Sequence, residues 1–240
     1  MLETKSLSKR YGGLVAVADV DFRAATDEVV AIIGPNGAGK TTFFNLLSGF
    51  QRPSSGEMSL DGKSIMGLQA HQVSNLGVVR TFQVCRPFPD LSTLENVVAG
   101  AYAHCTTYRE AVEVAEAVLE EVGLFHKRRF LANYLTLPDM KRLELARALA
   151  TRPRYLLLDE VMAGLNVREQ HEVGDVIEAI HRRGVGVVLV EHSITMVVRL
   201  GRRVMCLSAG RKIAEGTARE VLSDPDVQSA YMGAANDEAA

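Results

Sequence analysis

The chain has 240 residues, of which 47% are hydrophobic and 23% are charged, values ordinary for a globular protein with one large domain or a core with an inserted lobe. Its net charge of −2 gives no electrostatic attraction to nucleic acid, so we expect no nucleic-acid partner. The three cysteines form no metal-ligand pattern, and from the sequence we expect neither a signal peptide nor a membrane-spanning segment.

Strands and helices are predicted to alternate along the chain. A β-branched run at residues 29–33 is closed by Gly34 and followed by a helix-compatible stretch at residues 40–48. Two more apolar runs, residues 155–158 and 187–190, are typical of parallel strands covered on both faces. An i, i+3, i+4, i+7 pattern between them indicates an amphipathic crossover helix, with Val173, Val176, Ile177 and Ile180 on its apolar face.

Turn signals around this α/β core predict hairpins and a late helix. Asp61-Gly62 has the Asp-Gly turn preference, and Ala209-Gly210 separates two alternating segments. Thr217 and the glutamate three residues later are spaced as a capping box that opens a helix.

The middle of the chain differs from the core, because residues 91–150 show helical faces and no good strand. The sequence therefore predicts a helical lobe inserted into an α/β core. The expected division is residues 1–83 and 151–227 for the core with its β-subdomain, 84–150 for the helical lobe and 228–240 for a frayed C-terminal tail.

Residues 34–42, Gly-Pro-Asn-Gly-Ala-Gly-Lys-Thr-Thr, match the P-loop pattern in full between a predicted strand and a predicted helix. Glycines let consecutive backbone N–H groups curl around a phosphate, and the helix N-terminus adds a favourable potential. Lys40 can reach the β- and γ-phosphates, and the Thr41 hydroxyl can bind Mg²⁺. The expected nucleotide contacts are Gly34, Asn36, Gly37, Gly39, Lys40, Thr41 and Thr42.

The apolar run at residues 155–158 ends in two carboxylates, Asp159 and Glu160. Asp159 is predicted at the carboxyl edge of the sheet, where it can hold Mg²⁺. Glu160 can polarise a water for attack on the γ-phosphate, a role typically worth about 10²–10⁴ in rate. An acidic strand end before a turn is common by itself, but beside a P-loop it indicates a hydrolytic site.

The order of these motifs resembles the ATPase domain of ABC transporters over nearly the whole chain. The resemblance implies a RecA-like P-loop α/β core with an antiparallel β-subdomain and an inserted α-helical subdomain, and it implies ATP with Mg²⁺ as the ligands. It places Tyr11 where an aromatic ring stacks on adenine, the alternative being a buried or edge-strand tyrosine. It also matches Gln83 to a glutamine that binds Mg²⁺ and senses the attacking water, and His192 to a switch histidine on the γ-phosphate.

The signature motif is where the chain departs most from this family. The family pattern Leu-Ser-Gly-Gly-Gln is replaced by Leu-Thr-Leu-Pro-Asp at residues 135–139. Thr136 keeps a hydroxyl for a nucleotide bound in trans, but Pro138 has no backbone N–H to offer, and Asp139 would add negative charge there. An alternative is purely structural, with Thr136 as N-cap, Pro138 in the first turn and Asp139 at the third helical position. We expect a weak signature half-site and a different ATPase subunit as partner, with a homodimer as the alternative.

Within the family, residues 80–83, 86–89, 94–97, 141–150 and 191–196 resemble the ATPases of branched-chain amino-acid importers, and subunits for urea or amide import or lipopolysaccharide export share much of this pattern. The resemblance implies multi-spanning permease subunits as partners, a solute-binding protein as an indirect one, and a peripheral position on the cytoplasmic face of the inner (plasma) membrane.

Three further functions stay open on sequence grounds: an ABC-type ATPase outside transport, a regulatory subunit that binds nucleotide without hydrolysis, and another P-loop class such as a kinase or GTPase. Phe88 lies where the family docks a permease helix, and it is either a contact for that helix or a core residue of the lobe.

Overall fold

The computed structural model describes residues 1–81 and 86–237, with side chains through Met232. In chain order the strands are β1 (Leu2–Tyr11), β2 (Leu14–Ala24), β3 (Val29–Ile33), β4 (Ser55–Leu60), β5 (Lys63–Ser64), β6 (Val78–Arg80), β7 (Tyr155–Asp159), β8 (Gly186–Val190), β9 (Arg203–Ser208) and β10 (Arg211–Gly216). The helices are α1 (Lys40–Leu47), α2 (Ala70–Asn75), α3 (Thr93–Ala101), α4 (Tyr108–Glu121), α5 (Leu137–Ala150), α6 (Val167–Arg182), α7 (Ile194–Leu200), α8 (Ala218–Ser223) and α9 (Pro225–Asp237).

These elements form two compact units. The first contains Met1–Val73 with Gly186–Ala240, and the second contains Ser74–Val185. Over the two described ranges, the helices are all too short or too polar to cross a membrane. The second unit holds β6, β7 and α6 besides the helical region, so it is larger than the helical lobe expected at residues 84–150. The boundaries of that lobe stay a prediction.

The first unit carries the predicted parallel strands. Strand β3 pairs in parallel with β8 on one side, where Ile32 lies opposite Val190, and with β9 on the other, where Ile33 lies opposite Cys206. Both β3 and β8 are buried along their whole length, which explains their continuous apolar sequences. Because β3 and β8 run the same way, the loops that follow them leave the same edge of the sheet.

The same unit contains the antiparallel strands that the turn signals predict. Strands β1, β2, β4 and β5 form a sheet in the order β2-β1-β4-β5. The β4–β5 turn has Asp61 at φ 51° and Gly62 at φ 75°, and the β9–β10 turn has Ala209 at φ 46° and Gly210 at φ 78°. Positive φ at both central residues is the two-residue hairpin geometry, so both turn predictions are confirmed.

The second unit contains the predicted helical region. Helices α3, α4 and α5 pack on one another, and the apolar faces expected on α4 and α5 are buried at Ala111, Ala115, Leu119, Leu143 and Ala146. Strands β6 and β7 run parallel, with Arg80 opposite Leu157. Together with the strands and hairpins of the first unit, these elements confirm the α/β class with antiparallel strands and a helical region.

The C-terminal region is more ordered than the tail expected from residue 228. Helix α8 begins with the predicted capping box between Thr217 and Glu220. Helix α9 follows at once, because the Asp224 carboxylate accepts hydrogen bonds from the N–H groups of Asp226 (2.8 Å) and Val227 (3.4 Å). The segment expected to be a tail is thus helical through Asp237. The Asp224 carboxylate that caps this helix lies just before residue 228, the expected start of the tail.

Candidate nucleotide-binding site

The P-loop of the first unit lies between the buried strand β3 and helix α1, in the order that the sequence predicts. Two of its glycines are required by sterics as well as by backbone conformation. Gly34 has φ 148° and Gly39 has φ 99°. A Cβ at Gly34 would overlap the carbonyl oxygen of Leu207, and a Cβ at Gly39 would overlap that of Ala16. The loop therefore follows a tight path that a side chain at either position would prevent.

Lys40 is held beneath this loop. Only 7% of the residue is exposed, and its Nζ donates hydrogen bonds to the carbonyl oxygens of Gly34 (2.6 Å) and Pro35 (2.9 Å). Gly39, the N-cap of α1, has no side chain to cap the helix, and the first turn contains no acidic residue. The backbone N–H groups at the start of α1 and the Lys40 ammonium are donors of the kind that a polyphosphate requires, and the first turn of α1 adds no carboxylate to them.

The remaining P-loop residues lie at the tip of the loop and in the first turn of α1. Asn36 and Gly37 are exposed at the tip, Thr41 is exposed in the first turn, and Thr42 is half-buried beside it. Ala38 anchors the loop from the inside, since its carbonyl oxygen accepts a hydrogen bond from the N–H of Gly210 (3.0 Å).

His192, another expected site residue of the first unit, is exposed and follows β8 by two residues. Since β8 and β3 are parallel neighbours, His192 and the P-loop emerge at the same sheet edge. The register therefore brings the switch-histidine candidate to the side of the sheet where the phosphates would bind.

Tyr11, the candidate adenine contact, ends strand β1 and is 43% exposed, so it is not a buried tyrosine. Its hydroxyl donates a hydrogen bond to Oε1 of Gln51, and the ammonium of Lys9 lies 5.1 Å from the ring centroid. The ring is accessible, and its stacking on adenine stays a prediction.

In the second unit, Asp159 ends strand β7 as predicted and is almost fully buried. Its Oδ2 accepts a hydrogen bond from Nη2 of Arg80 at 2.6 Å, and the side chains of Arg80 and Asp159 are only 5% and 3% exposed. The sequence alone assigns no role in the site to Arg80. The available signal was its position at the end of an apolar run, three residues before Gln83.

Glu160 follows directly and adopts a backbone conformation unusual for a residue with a side chain. Its φ is 49°, in the left-handed region, and the residue is half-buried. Such conformations cost about 1–3 kcal/mol and concentrate at functional sites. Its carbonyl accepts a hydrogen bond from the N–H of Ala163 (3.1 Å), which closes a turn and takes Glu160 out of the strand direction.

Metal binding is expected from oxygen ligands, which Mg²⁺ prefers. The Thr41 hydroxyl and the Asp159 carboxylate are groups of that kind, whereas Gln83 lies outside the described residues. Across residues 1–81 and 86–237, no three His, Cys, Asp or Glu side chains are grouped so that they could hold a metal ion by themselves.

The replaced signature motif begins helix α5. Thr136 occupies the N-cap position, Leu137 starts the helix, and Pro138 and Asp139 follow in its first turn, as the structural alternative predicts. The Thr136 hydroxyl, however, donates to Oδ2 of Asp139 (2.7 Å) and does not cap a backbone N–H.

Asp139 carries the negative charge that the sequence predicts, but this charge is paired within the second unit, and its position beside a phosphate bound in trans stays a prediction. Nζ of Lys127 lies 2.5 Å from Oδ2 of Asp139. Burial alone would raise the pKa of the Asp139 carboxyl, but the hydrogen bonds from Lys127 and Thr136 outweigh burial, and the pKa is lowered overall. The carboxylate is thus ionised, and its charge is balanced by Lys127 within the same unit.

Phe88 also belongs to the second unit and is not a core residue. Its side chain is 47% exposed, and the guanidinium of Arg147 lies 4.9 Å from the ring centroid. The backbone N–H and C=O of Phe88 both bond to the side chain of the buried Asn96, at 2.8 and 3.0 Å. The loop therefore presents an aromatic ring at the surface of this unit, beside the half-buried Arg147 of α5.

Comparison with known proteins gives concordant results. The family model described as ABC transporter matches residues 17–163, and the model described as branched-chain amino acid ATP-binding cassette transporter matches residues 211–237. The chain is 39% identical to the high-affinity branched-chain amino acid transport ATP-binding protein BraF of Pseudomonas aeruginosa, over 98% of each chain. It is 34% identical to the lipopolysaccharide export system ATP-binding protein LptB of Acidithiobacillus ferridurans, over 97% of each.

Solved structures agree with the fold. The ADP conformation of MJ1267, an ATP-binding cassette of an ABC transporter, superposes with a TM-score of 0.89 at 29% identity and covers 97% of this chain and 98% of that one. The dimeric post-hydrolysis state of the cassette MJ0796, bound to ADP and Pi, gives a TM-score of 0.81 at 25% identity over 91% of this chain and 99% of that chain. The predicted P-loop α/β fold is confirmed by these similarities.

Proposed function

This chain belongs to the ABC transporter family of ATP-binding cassettes, and from that premise we propose that it binds and hydrolyses ATP to power an importer of branched-chain amino acids or related small polar solutes. The observation that carries the proposal is the P-loop, in which Lys40 is held under a glycine-dependent turn at the start of α1. This arrangement offers hydrogen-bond donors to a polyphosphate, and the relatives of this chain are ATP-binding proteins of transporters.

The residues have distinct roles in this proposal. Residues 34–42 bind the phosphates, and Tyr11 stacks on adenine. Glu160 accepts the proton of the attacking water, and His192 contacts the γ-phosphate. Thr41, Asp159 and Gln83 would hold Mg²⁺, which would neutralise phosphate charge.

The substrate class rests on the relatives. BraF is named for branched-chain amino acid transport, and the C-terminal residues 211–237 match the branched-chain family model. Lipopolysaccharide export is the alternative that the similarity to LptB supports, and urea or amide import is a third.

The proposed partners are multi-spanning permease subunits, a second ATPase subunit and, indirectly, a solute-binding protein, with the chain peripheral on the cytoplasmic face of the inner membrane. The exposed Phe88, with the half-buried Arg147 beside it, supports contact with a permease, since aromatic residues and arginine are enriched at protein interfaces.

The replaced signature supports a heterodimer. At Pro138 the chain lacks a backbone N–H that glycine would offer to a phosphate bound in trans, whereas the charge of Asp139 is already balanced.

We expect the purified chain alone to hydrolyse ATP about 10²-fold more slowly than a mixture with its partner ATPase, the typical effect of one lost transition-state donor. Pro138→Gly should raise the rate of the chain alone. Turnover by the wild-type homodimer at ordinary transporter rates would exclude a weak half-site.

The proposed function is tested by gentle affinity purification of the chain from its native membranes, followed by mass identification of the proteins that accompany it. Recovery of two multi-spanning permeases, a second ATPase and a solute-binding protein would support an importer and indicate the solute to test. Recovery of soluble proteins only would favour an ABC-type ATPase outside transport. ATP binding without any hydrolysis in the reconstituted complex would instead favour a regulatory subunit.

A further inference from the structure

The C-terminal helix reaches the P-loop through one side chain. The backbone N–H of Gly34 donates a hydrogen bond of 2.9 Å to the hydroxyl of Tyr231, although the two residues are 197 positions apart in the chain. Gly34 follows the last residue of β3 and is the first residue of the P-loop. The contact therefore lies where the strand turns into the phosphate-binding segment.

Helix α9 fixes the position of Tyr231, because the first turn of this helix is itself capped and contains the buried Val227. The Asp224 carboxylate caps the helix, and Val227 is 2% exposed against the rest of the unit. Tyr231 lies four residues after Val227, which puts both on one face of the helix, and α9 packs against α8 and β10. The neighbouring Met232 is 63% exposed and lies off this face.

Gly34 has both of its backbone polar groups committed to side chains. Its N–H bonds to Tyr231, and its carbonyl oxygen accepts the hydrogen bond from Nζ of Lys40 at 2.6 Å. The peptide units on the two sides of one residue thus link the C-terminal helix to the phosphate-binding lysine. A shift of Gly34 would move the carbonyl that orients the Lys40 ammonium.

The surroundings make this hydrogen bond hard to replace with water. Gly34 is buried, and there is no room for even a Cβ between it and the carbonyl of Leu207. Burial raises the pKa of the nearby Cys206 thiol to about 11, and burial also raises the pKa of the Tyr231 hydroxyl. The hydroxyl stays protonated and neutral at physiological pH, and a buried N–H that loses its acceptor is costly.

We propose that Tyr231 is a positioning residue of the P-loop, through which helix α9 sets the affinity of the site for nucleotide phosphates. This inference rests on the proposed function, because it requires that nucleotide binds at residues 34–42. It makes the C-terminal helix part of the nucleotide site. A partner contact that shifts α9 would therefore also change the position of the Lys40 ammonium.

The test uses the full-length chain and measures Kd for Mg·ATP and Mg·ADP at 25 °C, with the melting temperature recorded on the same samples. Tyr231→Phe removes only the hydroxyl, and Met232→Ala is the matched control on the same helix. We expect Tyr231→Phe to weaken binding of both nucleotides about five- to tenfold, the effect of one hydrogen bond, and Met232→Ala to bind as wild type does.

The outcomes separate the two proposals. If wild type binds ATP and Tyr231→Phe binds it equally well, the inference is overturned, even when the melting temperature falls, because that result shows a structural role only. If wild type does not bind ATP at all, the proposed function itself fails.

Hydrogen exchange keeps the inference testable if Tyr231→Phe does not fold. In the wild-type chain, the Gly34 amide should exchange as slowly as the amides of β3, because it is bonded and buried. Fast exchange at Gly34 beside slow exchange in β3 would overturn the proposal.

Discussion

Replacing Glu160 by glutamine is expected to leave ATP binding intact and to lower hydrolysis about 10²- to 10⁴-fold, the usual contribution of a general base. The amide has nearly the same shape as the carboxylate, so the left-handed backbone at φ 49° and the half-buried side chain should be retained. The amide cannot accept the proton of the attacking water at neutral pH. Binding and chemistry should therefore separate in this variant.

The measurement pairs an ATP-binding isotherm with single-turnover and steady-state phosphate release in the reconstituted complex. Glu120→Gln is the control, because Glu120 is an exposed glutamate on α4 and the substitution makes the same chemical change. Control and wild type should hydrolyse ATP equally. Hydrolysis by Glu160→Gln at the wild-type rate would remove Glu160 from the mechanism, and loss of binding would show that it acts on the ground state.

Replacing Arg80 by leucine is expected to lower the free energy of unfolding by about 3–5 kcal/mol, the range measured when one partner of a buried ion pair is removed. Asp159 is 3% exposed and takes a 2.6 Å hydrogen bond from Arg80. Without the guanidinium its carboxylate would stay buried with a large part of its charge uncompensated. Urea unfolding of the nucleotide-free protein measures the effect.

Two further variants make this prediction specific. Arg109→Leu removes an arginine that is 91% exposed and paired with Glu113 one helical turn away, and it should change stability by no more than about 0.5 kcal/mol. Adding Asp159→Asn to Arg80→Leu removes both charges and should recover part of the loss, since the two residues are in direct contact. Equal losses for Arg80→Leu and Arg109→Leu would contradict a stabilising role of the buried pair.

Much of the site follows from the sequence because its signals are local. The P-loop needs glycines at Gly34 and Gly39 within a few residues of Lys40, and that spacing is visible without any tertiary contact. The Asp-Gly turn at Asp61 and the capping box at Thr217 are equally local, since each satisfies backbone groups within four residues. The burial of β3, β7 and β8 follows from their uninterrupted apolar runs.

Only the tertiary structure decided which charged and polar groups pair when they lie far apart in the chain. Arg80 and Asp159 are 79 positions apart, and Gly34 and Tyr231 are 197 apart. The same holds at shorter range for Asp139, whose charge is balanced by a lysine 12 positions away across the start of α5. The neighbours of a residue in the sequence largely determine whether it lies in a helix or a strand. A buried charge or N–H group instead pairs with a group that packing brings within hydrogen-bond distance, so its partner depends on the whole fold.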